Sequence, residues 1–187
     1  MRTTAPGQSA LLLLDVIALL RSEGIDYAVI GAMAASVHGS VRASLDADAI
    51  TFMSPQAAAP LERRFSAAGF GATLRTGDPD DPIPALLALT DSHRNRVDLL
   101  VGLRGLDRSA LDRTIEVPFK GVALRVIGRE DFIAMKVYAG GPRDLADAAA
   151  ALRRSPTSLD LPLLRGLAAD YGRHAAEVLE KLLERNP

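Results

Sequence analysis

Three aspartates are the residues most able to do chemistry. Asp46 and Asp48 stand two apart in Leu45-Asp-Ala-Asp-Ala-Ile50, and Asp98 sits in Val97-Asp-Leu-Leu-Val101. Residues two apart on a strand project from one face, about 7 Å apart along the chain, so Asp46 and Asp48 share a face. Acids are unfavourable in strands, and a solvated polar face would be the simplest account of such a pair. The apolar neighbours argue for something else. Burying unpaired carboxylates costs several kcal/mol each, and three together cost more unless a divalent cation neutralises them. Magnesium suits hard oxygen ligands completed by substrate phosphates, and no soft ligand is nearby.

A second feature precedes the acids. The apolar run 27–30 ends at Gly31 and passes directly into the small residues 32–38, a strand, a tight turn and a short helix. Unpaired N–H groups at such a turn are a place for phosphate. A dinucleotide-binding reading fails, because Gly31-Ala-Met-Ala-Ala-Ser has one glycine where that fingerprint needs three.

The elements that must hold these residues follow from pattern and punctuation. A leucine-rich helix over 10–20 stops at Gly24. Strands are expected over 27–30, 47–52, 72–75, 86–90 and 96–101, with a helix from Pro55 to residue 68 and an exposed acidic loop, Gly77-Asp-Pro-Asp-Asp-Pro82. Residues 114–117 and 122–126 read as a hairpin around 118–121. From 129 onward the pattern is helical, over 130–139, 143–153, 159–169 and 173–185, with breaks at Gly140-Gly-Pro142 and Ser155-Pro156. This order predicts an α+β, mixed α/β fold. It divides into a core with its N-terminal helix over 1–128 and a helical region over 129–187 packed on it.

Composition sets the outer bounds. The 187 residues include no cysteine, which removes thiolate metal sites, redox motifs and thiol nucleophiles, and the three histidines are isolated. A chain of this length can bury roughly 70% of its unfolded surface, enough for a core without staples. With 22 Lys+Arg against 23 Asp+Glu there is no global basic field, so a nucleic-acid partner would need a local patch. Asp15 interrupts the apolar run near the N-terminus, and no run approaches the ~18 residues of a membrane span. The expected location is cytoplasmic.

In order, Gly31-Ala32, Arg42-Ala-Ser-Leu-Asp46-Ala-Asp48 and Val97-Asp98-Leu99 resemble the nucleotidyltransferase superfamily, the polymerase-β-like fold. Residues 27–48, with Glu130-Asp-Phe-Ile-Ala-Met-Lys-Val-Tyr-Ala139 and Arg143-Asp-Leu-Ala-Asp147, are similar to AbiEii-like nucleotidyltransferases, which include toxins of bacterial toxin–antitoxin and phage-resistance systems. The resemblance covers residues 25–152. It implies an NTP substrate, two Mg2+ ions held by Asp46, Asp48 and Asp98, and transfer of a nucleoside monophosphate to tRNA, another RNA end or a protein hydroxyl. It also implies a possible cognate antitoxin. Gly31, Ala32, Arg42, Ser44, Lys136 and Asp147 would form the nucleotide site. Two positions depart from the family: Ala32 replaces a second Gly or a Ser, and Ser44 replaces a Thr, keeping the hydroxyl.

Rival readings stay open at this level. A non-catalytic nucleotide-binding or antitoxin-interaction module is compatible with Ala32, and a metal nuclease with the acids and Lys136. Lys136 lies beside the apolar stripe of its helix, where a snorkelling lysine is the simplest account. Asp144 reads as an acid matched to its helix N-terminus and Asp147, one turn further in, as the site candidate. Arg94 and Arg96, with Arg104 and Arg108, could form a basic edge near Asp98, but a solvated arginine cluster is the default reading of such a group.

Overall fold

The computed structural model describes residues 1–154 and 158–186, so the expected break at Ser155-Pro156 lies outside the described residues. Seven strands form one mixed sheet: β1 (Tyr27–Ile30), β2 (Asp46–Thr51), β3 (Gly71–Thr76), β4 (Ala85–Thr90), β5 (Arg96–Val101), β6 (Ile115–Phe119) and β7 (Val122–Val126). Their order is β3-β4-β5-β2-β1-β7-β6, with β2 parallel to β5 and antiparallel to β1. Pro118 is tolerated because β6 is an edge strand, where a missing N–H breaks no ladder.

Helices α1 (Ser9–Ser22) and α2 (Gly31–Val37) flank β1, and α3 (Ala58–Ala67) follows β2. The C-terminal helices are α4 (Arg129–Ala139), α5 (Pro142–Arg153), α6 (Leu161–Asp170) and α7 (Arg173–Glu184). The helix expected from Pro55 begins instead as a 3-10 turn, Pro55–Ala57, before α3. The hairpin strand β6 runs on to Phe119, so the turn is only Lys120-Gly121, both with positive φ. Two consecutive left-handed residues match the twist of the flanking strands.

One face of the sheet is dry. Ala47, Ala49, Val97, Leu99, Leu87 and Leu89 are buried there, under α1 over β2 and β5 and under α3 over β3 and β4. From α1 come Leu12, Leu13, Val16, Ile17 and Leu20, each at most 1% exposed. Truncating any of them to Ala is expected to cost about 2–5 kcal/mol. This packing fixes β2 and β5 rigidly from behind. Among the described residues no helix is long and apolar enough to cross a membrane.

Candidate active site

The front face of the same two strands carries the acids. Parallel pairing sets Asp48 directly opposite Asp98 and Asp46 opposite Arg96, so the alternation that buries Ala47 and Val97 turns all three carboxylates forward. One oxygen from each of Asp46, Asp48 and Asp98 lies within 4.8 Å of the others. Ser44 Oγ donates to Asp46 Oδ1 at 2.6 Å, orienting the first acid. Arg96 grips Asp98 with both ends of its guanidinium, at 2.7 and 2.9 Å. Burial, and then the charges of Asp46 and Asp98, push the Asp48 carboxyl up to about 6 against the opposing pull of Lys136 and Arg42. The donor set of the three carboxylates is all hard oxygen, which fits Mg2+.

Gly31 belongs to the acids before it belongs to any phosphate. Its φ is +61°, and a Cβ there would lie 2.6 Å from Cγ of Asp48, so the turn leaves the space that Asp48 fills. Ser9 performs a related service at the other end of the strands. Its hydroxyl donates to Leu45 O at 2.6 Å and accepts from Arg96 N at 3.1 Å, joining the residue before Asp46 to the strand of Asp98. Next to it, buried Asn95 receives the Gln8 N–H and donates to Ala5 O, which fastens the N-terminal segment across the entry to β5.

Opposite the acids stands a group of cations tied to one buried carboxylate. Asp147 is 1% exposed; its Oδ1 accepts from Ser40 Oγ at 2.7 Å, and its Oδ2 lies 3.3 Å from Lys136 Nζ and 3.5 Å from Arg42 Nε. Asp144 stands in the first turn of α5, as its sequence position indicated, and is also the closest partner of Lys136, at 2.6 Å. Lys136 is therefore no snorkelling lysine: its side chain is 13% exposed, and its ammonium also lies 5.6 Å over the ring of Phe132.

Acids and cations face one another across a cleft of about 400 Å³. Gly31, Arg42, Ser44, Asp46, Asp48 and Lys136 all line it, together with Arg143 and Asp144. Ala32 does not; with Ser36, Met33 and the other side of Arg42 it borders a smaller cavity of about 140 Å³ behind Asp46. Neither Asp147 nor Asp98 lines the cleft: Asp147 is buried against Lys136 and Arg42, and Asp98 stands beside Asp48 on β5.

The four arginines around Asp98 in sequence do not act as one group. Arg96 is spent on Asp98, while Arg104 donates to Pro79 O and Arg108 pairs with Asp26. Arg94 is exposed in the turn before β5. The three histidines stand apart: His38 is buried, bonded to Ile127 O at 2.8 Å and held below its usual pKa by that burial, His93 is half-buried in the turn before β5, and His174 is exposed.

Beyond Asp98 the front face is uncovered. Ala88 and then Thr73 continue the row from Asp98, Thr90 and Gly71 continue the row from Arg96, and Leu86 and Arg75 continue that from Leu100. These residues are half-buried or exposed, whereas their neighbours on the back face of β4 and β5 are buried. The three acids thus stand between the cleft and an open platform on β4 and β3, small in its central row of Ala88 and Thr73.

No protein-family model and no curated protein sequence matches this chain. Solved structures do. The antibiotic-resistance factor ANT(2'')-Ia aligns with a TM-score of 0.60 at 14% identity, over 94% of this chain and 96% of that one. An antigenic nucleotidyltransferase-like protein from Paracoccidioides brasiliensis gives 0.61 at 16% identity, over 99% and 92%. The lincosamide antibiotic adenylyltransferase LnuA gives 0.50 at 14% identity, over 82% and 100%. At such identities the likeness is one of architecture, and it establishes that this mixed α/β chain has a nucleotidyltransferase fold.

Proposed function

We propose that this protein is a Mg2+-dependent nucleotidyltransferase, which moves a nucleoside monophosphate from an NTP to an acceptor hydroxyl and releases pyrophosphate. The observation that carries the reading is the in-register pair Asp48 and Asp98, joined by Asp46, with Asp46 and Asp48 lining the same cleft as Lys136 and Arg42. Asp46, Asp48 and Asp98 would hold the metal, two ions in the full site; bound there, Mg2+ neutralises the triphosphate and acidifies the attacking hydroxyl. Lys136 and Arg42 take up the charge that grows on the departing pyrophosphate. Gly31 gives the phosphates close approach to the backbone, and Ser44 keeps Asp46 aimed. Asp98, at the border of cleft and platform, receives the hydroxyl proton as the acceptor oxygen bonds to the α-phosphorus. The bond from that phosphorus to the β-phosphate oxygen breaks.

The acceptor approaches across the platform of Ala88, Thr73 and Thr90, because the cleft side of the triad is taken by the triphosphate. The AbiEii-like motifs direct this reading to an RNA end, tRNA included, or a protein hydroxyl, and to a toxin with a cognate antitoxin. The fold neighbours include ANT(2'')-Ia, solved with adenylyl-2''-tobramycin, and LnuA, solved with lincomycin, which makes a small hydroxylated molecule the other acceptor class to assay. Incubation with each α-labelled NTP, Mg2+ and total tRNA, cell lysate or an antibiotic panel tests the proposal. Label should enter one acceptor fraction. NTP binding with no label transferred anywhere would favour the non-catalytic module, and RNA cleavage the nuclease.

A further inference from the structure

The cleft has two chemically different ends, and only one is used above. On the acid face, Ile50 and Leu100 follow Asp48 and Asp98 in register, about 7 Å further along the strands. Leu100 and Leu103 continue into a wall with Pro82 and Ile83 from the loop between β3 and β4, facing Met135 and Tyr138 of α4. With the triphosphate between the acids and Lys136, a ribose-sized step from the α-phosphorus reaches this apolar end.

The wall is built so that it has little to offer a hydrogen-bonding edge. Pro82 and Pro84 have no N–H, the Ile83 N–H is taken by Asp81 Oδ1 at 2.8 Å, and the Gly102 N–H by Thr51 O at 3.1 Å. The carbonyls of Pro82 and Pro84 already accept from Arg104 N and Gly77 N, both at 3.0 Å. On the opposite side the α4 backbone up to the Lys136 carbonyl is bonded within the helix and its cap. Tyr138 is held by stacking on Tyr171, with ring centroids 4.7 Å apart, and Arg143 is exposed at the rim.

We propose that this apolar end holds the nucleobase of the NTP and accepts purines and pyrimidines with little discrimination. The proposal rests on the nucleotidyltransferase reading of the acid end. Strong selection among bases needs polar groups that a wrong base would leave unpaired; with these backbone groups of the loop already paired and, among the described residues, only the Tyr138 hydroxyl and Arg143 as polar side-chain groups at this end, the wall discriminates mainly by size and contact area.

Equilibrium binding to the intact protein with Mg2+ tests this, using ATP, GTP, CTP and UTP with inorganic tripolyphosphate as the base-free probe. The four NTPs should bind within about tenfold of one another, and each at least tenfold tighter than tripolyphosphate. Leu103→Ala, and independently Ile83→Ala on the loop, which add no charge to the cleft, should bring all four toward the tripolyphosphate value while leaving tripolyphosphate itself unchanged. One NTP binding more than a hundredfold tighter than the rest would overturn the proposal. So would variants that keep wild-type NTP affinity, since the slot would then belong to the acceptor. Failure of both tripolyphosphate and every NTP to bind would overturn the nucleotide reading itself, and this inference with it.

Discussion

Gly31 and Asp48 occupy one another's space: the carboxylate sits where any side chain at residue 31 would begin, 2.6 Å from Cγ. Gly31→Ala must therefore both strain a backbone at φ +61° and displace the central acid. The expected loss is about 2 kcal/mol or more of stability in denaturant unfolding, with Mg2+ binding lost together with it. A folded Gly31→Ala variant of wild-type metal affinity would show that Asp48 has another place to go.

Asp48 makes stability fall as pH rises. Its carboxyl is raised to about 6 in the folded chain, above the ordinary 3.8, so between those values the folded state binds more protons than the unfolded one. The two states are equally protonated near pH 3. The penalty grows from about pH 4 and is complete above about pH 6, reaching roughly 3 kcal/mol by the pKa difference. Without metal, Asp48→Asn should be the more stable protein at pH 7.5 and no more stable at pH 3.5, and Mg2+ should raise the Tm of the wild type only. Equal unfolding curves for both proteins at pH 7.5 would contradict this.

Lys136→Met tests the cation group. It keeps the apolar stem but leaves buried Asp147 with Ser40 and a single cation 3.5 Å away. Loss of a charge-assisted contact of about 1.5–3 kcal/mol predicts NTP binding weakened roughly ten- to a hundredfold. The buried acid, left with one distant cation, predicts a lower Tm, which Lys136→Met/Asp147→Asn should recover without recovering NTP affinity. Unaltered NTP binding in the single variant would remove Lys136 from the site.

Ser9→Ala removes the pin between Leu45 and Arg96. The back-face packing of α1 remains, so global stability should fall by only about 1 kcal/mol, while the spacing of Asp46 and Asp98 loosens. Mg2+ affinity measured by calorimetry should drop severalfold, and Ser9→Thr should restore it. Identical metal isotherms for wild type and Ser9→Ala would leave Ser9 a helix-start residue and nothing more.

Local pattern made some of this legible and could not reach the rest. The i, i+2 rule turned Asp46 and Asp48 to one side, and Gly31 punctuated the strand where β1 ends. That Asp98 stands opposite Asp48 is a matter of register between strands fifty residues apart, which periodicity does not encode. The Arg96–Asp98 clamp follows from the same i, i+2 rule and was within reach, but grouping the arginines by sequence proximity hid it behind a basic edge. The roles of Asp144 and Asp147 turn on how α5 packs against α4: both face Lys136, and only tertiary packing decides which is buried. Ser9 gave no local signal, because its partners are 36 and 87 residues away.

Parallel incubations with α-labelled and γ-labelled NTP, Mg2+ and the acceptor fractions test the central claim most directly. Nucleotidyl transfer at these carboxylates predicts α-label on the acceptor and γ-label in pyrophosphate, both absent in Asp98→Asn. A γ-label on the acceptor or in orthophosphate, or α-label transfer that Asp98→Asn leaves unchanged, would contradict it.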